Sequence, residues 1–136
     1  MTPFLPVRLT PGADFRSALE ALPLSHGTDS AFVVAGIGSL MEVSIRFADV
    51  PDAVVLPGPL EIVSLSGSLS AAGAHLHVSV FDAAGRVFGG HLGYGSTVRT
   101  TAEVLLALLP SGTLTREHDV ATGFNELVVR PLEGNP

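Results

Sequence analysis

One segment of the sequence, a β-hairpin, constrains the fold more than any other. Residues 74–81 and 86–92 alternate as two half-buried strands do, and Asp82-Ala83-Ala84-Gly85 lies between them. Asp at the first position and Gly at the fourth are typical of a type I turn closed by a glycine bulge. This turn places Asp82 opposite Arg86, and it thereby sets the register of the whole hairpin.

The same register predicts that three of the five histidines share one face of the hairpin. His77 lies directly across from His91, and His75 is two residues from His77 and so on the same side. A one-residue slip in the turn would move His91 to the other face, so the prediction depends on this register. Three imidazoles with one position left for water are typical of an open divalent-metal site. We therefore predict a metal site, with zinc as the expected ion and Ni, Co or Fe(II) as alternatives.

Other interpretations of the polar residues stay open at this point. The three histidines also fit an ordinary strand face, hydrogen-bonded and free of metal. Glu61 and Glu103 are candidates for a general base or for hydrogen-bonding the metal ligands, but Glu61 also suits a solvent-facing or salt-bridged position. Three arginines are candidates for binding an anionic group near a subunit boundary, against the alternative of ordinary surface residues: Arg46, Arg99 and Arg116.

Composition indicates a single folded domain over residues 1–136, with its core at about 5–130. Hydrophobic residues make up 46% of the chain and charged residues only 15%, which excludes intrinsic disorder. So little charge leaves part of the surface apolar, and we expect subunits to associate and cover it. The chain has no cysteine, which excludes disulfides and thiolate metal sites.

Charge and hydropathy exclude two further classes. The net charge is −6, with seven arginines, no lysine and no basic cluster, so direct nucleic-acid binding by this chain is not expected. No apolar run approaches the roughly eighteen residues of a membrane helix, and the N-terminus lacks the features of a signal peptide. We expect a soluble cytoplasmic protein with no membrane partner.

The remaining pattern predicts a mixture of strands with one helix. Asp14 caps the helix, and Pro23 together with His26-Gly27 ends it. Gly36 and Gly38 predict a turn or a bulge, and the proline-rich residues 48–59 predict the longest connection. Residues 97–109 have balanced helix and strand propensities. The predicted elements are a helix over 14–22 and strands over 7–10, 30–37, 41–47, 60–69, 74–81, 86–92 and 126–130.

Several motifs in order along the chain resemble one family. They are Gly38-Ser39-Leu40, the stretch Glu61-Ile62-Val63-Ser64-Leu65-Ser66-Gly67-Ser68, His75-Leu76-His77-Val78-Ser79, Gly89-Gly90-His91-Leu92 and Thr122-Gly123-Phe124. Together they resemble the PPC domain, the plants and prokaryotes conserved domain, in a stand-alone prokaryotic form. The resemblance covers about residues 5–130.

The resemblance implies an α/β fold of the α+β type, with a mostly antiparallel mixed sheet, one or two packed helices and assembly as a homotrimer. It also implies a strand over residues 97–108 and, in some relatives, metal binding by the histidines that match His75, His77 and His91. Plant relatives join the domain to AT-hooks that bind DNA. This chain has no Arg-Gly-Arg-Pro element, so that function is not transferred.

Three functions follow as hypotheses. The first is a homotrimeric module that binds a divalent metal through the three histidines and takes a small anionic ligand or a protein partner. The second is a metal-assisted hydrolase or lyase acting on a small anionic molecule, with Glu61 or Glu103 as the base. The third is a DNA-associated assembly module that needs a basic partner. The sequence does not decide whether the protein is an enzyme.

Overall fold

The computed structural model describes residues 3–131, within which one helix interrupts a series of strands. The elements are β1 (Phe4–Leu9), α1 (Phe15–Ser25), β2 (Ser30–Arg46), β3 (Val54–Ser70), β4 (Gly73–Phe81), β5 (Val87–Leu92), β6 (Thr97–Leu109), β7 (Leu114–His118) and β8 (Asn125–Val129). The strand over 97–108 that the resemblance implied is confirmed. The tail after residue 132, for which the sequence predicts fraying, lies outside the described residues.

The strands form one large antiparallel sheet and one small one. Six strands lie in the order β1-β6-β2-β3-β4-β5, while β7 and β8 form a separate hairpin. A further pairing joins the end of β2 to β5, with Ile45 opposite Leu92 and Arg46 opposite His91. This extra pairing folds the sheet back on itself at one end. The α+β class with a mostly antiparallel sheet is therefore confirmed.

Strand β2 is one continuous element where the sequence predicted two. Its register against β6 shifts between Val33 and Ala35 and again between Gly38 and Leu40. Gly38 has φ +152°, and a Cβ there would lie 2.7 Å from the Cα of Ala102. The glycine therefore marks a bulge and not a turn. Bulges bend a strand, and a bent β2 can pair with both β6 and β5.

The predicted connection over 48–59 is too long, because β3 already begins at Val54. Its first residues pair with β2, from Ile45 opposite Val54 to Glu42 opposite Pro57. Strand β4 pairs with β3 only from Glu61 onward. The early part of β3 therefore has a partner on one side only, and prolines are tolerated at such an edge.

Helix α1 begins as predicted and ends later. The backbone N–H of Ser17 donates to Oδ2 of Asp14 over 2.9 Å, which confirms the cap. Pro23 lies inside the last turn and the helix continues to Ser25, with His26 as its C-cap, so the predicted end at His26-Gly27 is confirmed and the predicted bound at residue 22 was three residues early. The carbonyl of Pro23 accepts from the N–H groups of His26 and Thr28, which closes this last turn.

The core lies between the helix and one face of the large sheet. Phe15 and Leu19 of the helix are fully buried against sheet residues such as Leu40, Val80 and Leu106. No helix in residues 3–131 is long and apolar enough to span a lipid bilayer.

On the opposite face of the large sheet, several apolar side chains remain exposed among residues 3–131. Val34 and Ile37 of β2 and Val63 of β3 are each more than half exposed. A groove of about 710 Å³ next to Ile37 is lined mainly by apolar residues, among them Pro6 and Leu105. Large exposed apolar surfaces of this kind usually mark an interface.

Strands β7 and β8 form a hairpin of their own. The sequence predicted a strand over 126–130, which corresponds to β8, but not its partner β7. Arg116 pairs opposite Leu127, and His118 ends β7 opposite Asn125. Leu114 is the only apolar residue of this short strand, so the strand lacks the alternation of apolar and polar residues that predicts one.

Candidate metal centre

The predicted hairpin register is confirmed. The N–H of Asp82 donates to the carbonyl of Arg86 over 3.0 Å. Gly85 has φ +77°, the left-handed conformation that the glycine bulge requires. As a result His77 lies directly opposite His91 in the ladder between β4 and β5.

The three histidines converge at the surface. One ring nitrogen from each of His75, His77 and His91 lies within 4.8 Å of the other two. Nitrogen ligands at about 2.1 Å from a tetrahedral zinc ion lie about 3.4 Å apart, so small side-chain rotations would close the site. His75 and His77 are exposed and His91 is half-buried, which leaves a coordination position open to solvent.

Backbone contacts orient His91 for metal binding. Its Nδ1 lies 3.1 Å from the carbonyl oxygen of Arg46, and because a carbonyl only accepts, Nδ1 donates this hydrogen bond. The lone pair of a neutral ring is then on Nε2, the arrangement typical of a metal-binding histidine. Arg46 reaches this position only through the pairing of β2 with β5.

His75 has a different neighbour, the guanidinium of Arg116. Nη2 of Arg116 lies 3.2 Å from Nδ1 of His75 and also donates to Oγ of Ser68 over 3.1 Å. Ser68 is the residue of β3 that pairs with His75 in the ladder. The small hairpin β7–β8 therefore places a cation against the histidine cluster.

Electrostatics favour the neutral form of His75. Partial burial lowers the pKa of His75 below its usual value, and Arg116, His77 and His91 lower it further, partly opposed by the carboxylate of Glu126. Metal ions bind the neutral imidazole, so this pKa shift favours binding near neutral pH.

Two cavities flank the histidines. The larger, of about 860 Å³, is lined by His75 and His91 together with Arg46, Arg116 and Glu126. The smaller, of about 260 Å³, is lined by His75, His77, Arg116 and Glu126 among others. A small ligand in either cavity would lie beside the histidine donors.

Arg46 and Arg116 have no carboxylate partner among residues 3–131. The ion pairs in this part of the chain are Arg16–Glu20, Arg86–Asp82 and Arg130–Glu117. Nη1 of Arg46 donates only to the carbonyl of Val50, over 3.3 Å. Both guanidiniums therefore line the cavity without a direct ion pair, and the carboxylates of Asp49 and Glu126 line it as well.

The carboxylates proposed from the sequence are elsewhere. Glu61 and Glu103 line a separate cavity with Ser39 and Phe81. Glu61 pairs opposite Phe81, at the far end of β4 from His75 and His77. The expectation that Glu61 or Glu103 serves the histidines is therefore wrong within this chain, because strand direction carries them away from the site.

The three arginines proposed from the sequence lie at different places in the fold. Arg46 and Arg116 line the large cavity beside the histidines, whereas Arg99 is exposed on β6 and lines neither cavity there. Asp49 and Glu126 line the large cavity with the histidines, and the sequence analysis missed both carboxylates; Glu126 also lines the smaller cavity. The position of Glu126 depends on the β7–β8 hairpin, for which the sequence carries no strong signal.

A second feature that sequence reasoning missed ties the helix to the hairpin. Arg16 of α1 donates through Nη1 to the carbonyl of Leu92 over 3.0 Å and through Nη2 to that of Ala74 over 3.1 Å. These residues adjoin His91 and His75 in the chain. Nε of Arg16 donates to the carboxylate of Glu20 over 3.1 Å, which holds Arg16 in place, and the hydroxyl of Tyr94 donates to the same carboxylate.

The fold and the site together define a single β-rich domain with a surface cluster of three imidazoles. Residues 2–110 match the Plants and Prokaryotes Conserved (PCC) domain, and the chain belongs to this family. The family resemblance read from the motifs is thus confirmed.

Relatives with known sequences and structures agree with this assignment. The chain is 43% identical over 131 residues to a protein named Bifunctional protein GlmU from a Synechococcus strain, covering 96% of this chain and 21% of that protein. It thus spans about a fifth of that relative's length. A hypothetical protein from Salmonella enterica superposes with a TM-score of 0.89 at 36% identity, covering 93% and 92% of the two chains. A metal-containing protein from Archaeoglobus fulgidus superposes with a TM-score of 0.76 at 29% identity, covering 92% of each chain.

Proposed function

We propose that this protein binds one divalent metal ion, zinc in the first instance, through His75, His77 and His91. In this proposal it acts as a binding module for a small anionic ligand or a protein partner. The observation that carries the proposal is the convergence of three imidazole nitrogens within 4.8 Å on one hairpin face. Three neutral nitrogen donors and an open position are the donor set of open zinc sites.

Two further observations support a metal at this position. The hydrogen bond from His91 to the carbonyl of Arg46 leaves Nε2 of that ring free to coordinate. A structural neighbour from Archaeoglobus fulgidus is described as metal-containing. When bound, the metal would supply a Lewis-acidic position for an anion, and Arg46 and Arg116 would supply compensating positive charge.

We also propose that the chain assembles as a homotrimer through the uncovered face of the large sheet. Val34, Ile37 and Val63 are exposed there, and Arg8 and Glu103 line the same groove as Ile37. Association would remove this apolar area from water, which is the main driving force for stable subunit interfaces.

A second candidate function is that of a metal-assisted hydrolase or lyase acting on a small anionic molecule. It is favoured by one observation, that Glu126 lines both cavities beside the histidines and replaces the expected Glu61 and Glu103 as a candidate base. Against it, His75 and His77 are exposed and the site is open to water. A closed, water-excluding site is the usual setting for such chemistry, so the binding module is the better-supported function.

Metal content measured by elemental mass spectrometry on untagged protein tests the proposal. We expect about one divalent ion per chain in the wild type, its loss in His77→Ala, and its retention in His118→Ala. The control is matched because His118 is an exposed histidine at the end of β7, outside the cluster. Wild-type protein that carries no metal and takes up none from added zinc would contradict the proposed function.

A further inference from the structure

The contact between Arg116 and His75 conflicts with metal binding at His75. A guanidinium has only N–H donors, so in the contact of 3.2 Å the Nδ1 of His75 must accept. A neutral imidazole has one accepting nitrogen and one N–H. The lone pair of neutral His75 is therefore occupied by Arg116, and its proton is on Nε2.

A metal can bind neutral His75 in two ways, and both break this hydrogen bond. Coordination through Nδ1 uses the lone pair that Arg116 now occupies. Coordination through Nε2 moves the proton to Nδ1, where two N–H groups would then face each other across 3.2 Å. The positive charge of Arg116 also repels the incoming cation. Metal uptake therefore requires the guanidinium of Arg116 to leave His75.

The large cavity provides a place for the released guanidinium. Arg116 already lines it, as does Arg46, and neither arginine has a carboxylate partner in the described chain. Two unpaired guanidiniums beside an open metal position form a typical binding site for one oxyanion. Asp49 and Glu126 line the same cavity, and their negative charge disfavours a large polyanion.

We propose that metal binding releases Arg116 from His75, and that Arg116 and Arg46 then form a subsite for a carboxylate or phosphate group bound to the metal. This inference rests on the proposed metal site and deepens it. Metal and oxyanion bind cooperatively in this scheme, because the anion stabilises the arrangement in which Arg116 no longer competes for His75. By linkage, each ligand raises the affinity for the other by the same factor.

The test is the zinc affinity of the protein in three salts of matched ionic strength: chloride, acetate and methylphosphonate. Affinity is measured by competition with a chromophoric chelator, with the zinc bound by each free anion taken into account. We compare wild type, Arg116→Met and Arg46→Met, since methionine keeps much of the apolar stem and removes the charge. Arg99→Met is the matched control, because Arg99 is exposed and lines neither cavity beside the histidines.

In chloride we expect Arg116→Met to bind zinc about fivefold or more tightly than wild type, the lower end of ordinary coupling between sites. Acetate or methylphosphonate should raise the affinity of wild type and of Arg99→Met by a similar factor. The gain should be absent in Arg116→Met and reduced in Arg46→Met. A larger effect of acetate assigns the subsite to carboxylates, and a larger effect of methylphosphonate assigns it to phosphates.

Two results would overturn the inference, and they are distinguishable. If wild type binds zinc equally in all three salts and Arg116→Met binds no better, the coupling is wrong and the metal site stands. If wild type binds no zinc in any salt, the proposed function fails as well. Should Arg116→Met not fold, the salt dependence of wild type and Arg46→Met decides the question.

Discussion

His91 donates a ring N–H to the backbone carbonyl of Arg46 over 3.1 Å, across the pairing that joins β5 to the end of β2. One ring of the histidine cluster is thereby oriented by the closure of the sheet and not by its own hairpin. Any change that loosens this closure should therefore affect metal binding as well as stability.

The pairing of β2 with β5 predicts that alanine has different effects at two neighbouring glycines, Gly89 and Gly90. A Cβ at Gly90 would lie 2.5 Å from Cγ2 of Ile45 and 2.7 Å from the carbonyl oxygen of Arg46. We expect Gly90→Ala to lower the free energy of unfolding by about 1–3 kcal/mol, as overpacking does, and to weaken zinc binding. Urea denaturation and zinc titration measure the two effects.

Gly89→Ala is the control for this substitution. The nearest atom to a Cβ at Gly89 is the carbonyl oxygen of Val78, at 3.3 Å, on the β4 side of the ladder. We expect the smaller loss of stability from Gly89→Ala and a zinc affinity close to that of wild type. Equal effects of the two substitutions would argue against a role for the β2–β5 closure.

Arg16 is expected to act as a positioning residue for the cluster. It donates to the carbonyls of Ala74 and Leu92, so Arg16→Met leaves both half-buried carbonyls without this donor. We expect a stability loss of about 1–3 kcal/mol and weaker zinc binding, because the ends of β4 and β5 are no longer held to the helix.

Arg86→Met serves as the comparison for Arg16→Met. Arg86 pairs with Asp82, and its side chain is 73% exposed. The stability change should be about 0–1 kcal/mol, as for other surface ion pairs. A zinc affinity that is unchanged in both variants would show that Arg16 contributes to stability alone.

The lowered pKa of Glu20 predicts that protonation of this carboxylate contributes to unfolding in acid. Burial opposes ionisation of Glu20, but hydrogen bonds from the N–H of Ala74, from Tyr94 and from Arg16 outweigh it, so the pKa of Glu20 lies below 4.5. Its contribution to stability is fully present above pH 4.5 and is lost as the pH falls through the lowered pKa.

We therefore expect Glu20→Gln to reduce the dependence of unfolding free energy on pH below 4.5. Urea denaturation at a series of pH values between about 3 and 7 measures this slope. Asp52→Asn, which removes an exposed carboxylate in the loop between β2 and β3, is the comparison variant and should keep the wild-type slope. Parallel pH profiles for wild type and Glu20→Gln would contradict the prediction.

The proposed trimer should have a mass in solution that a single substitution in its interface lowers to that of the monomer. Ile37 is 56% exposed in the centre of the uncovered sheet face. An aspartate there would bring a second carboxylate opposite Glu103 into the interface, so Ile37→Asp should convert trimers into monomers. Light scattering at micromolar concentration measures the mass.

Val120→Asp is the matched control for the trimer prediction. Val120 is 92% exposed in the loop between β7 and β8 and is not part of the large sheet. We expect it to keep the trimer mass. A monomer mass of 14.0 kDa for the wild type would refute the assembly.

Strand positions were predictable where the pattern of side chains was local. Alternation and turn residues placed β4, β5 and most of β3, whereas residues 97–109 had balanced propensities and only the family resemblance indicated a strand. The split of β2 was mispredicted because Gly38 marks a bulge, which the sequence does not distinguish from a turn, and Gly36 lies in regular register. The early part of β3 was missed because its prolines lie at an edge.

The sequence by itself determined the hairpin and, through its register, the convergence of His75, His77 and His91. Turn chemistry and a period of two act over neighbouring residues, so no other part of the chain is needed to place them. Only the tertiary structure decided which charges surround the histidines. Arg46 arrives through the closure of the sheet and Arg116 through a separate hairpin, while Glu61 and Glu103 lie elsewhere. Such contacts depend on how strands pair across the fold, and spacing along the chain does not encode that pairing.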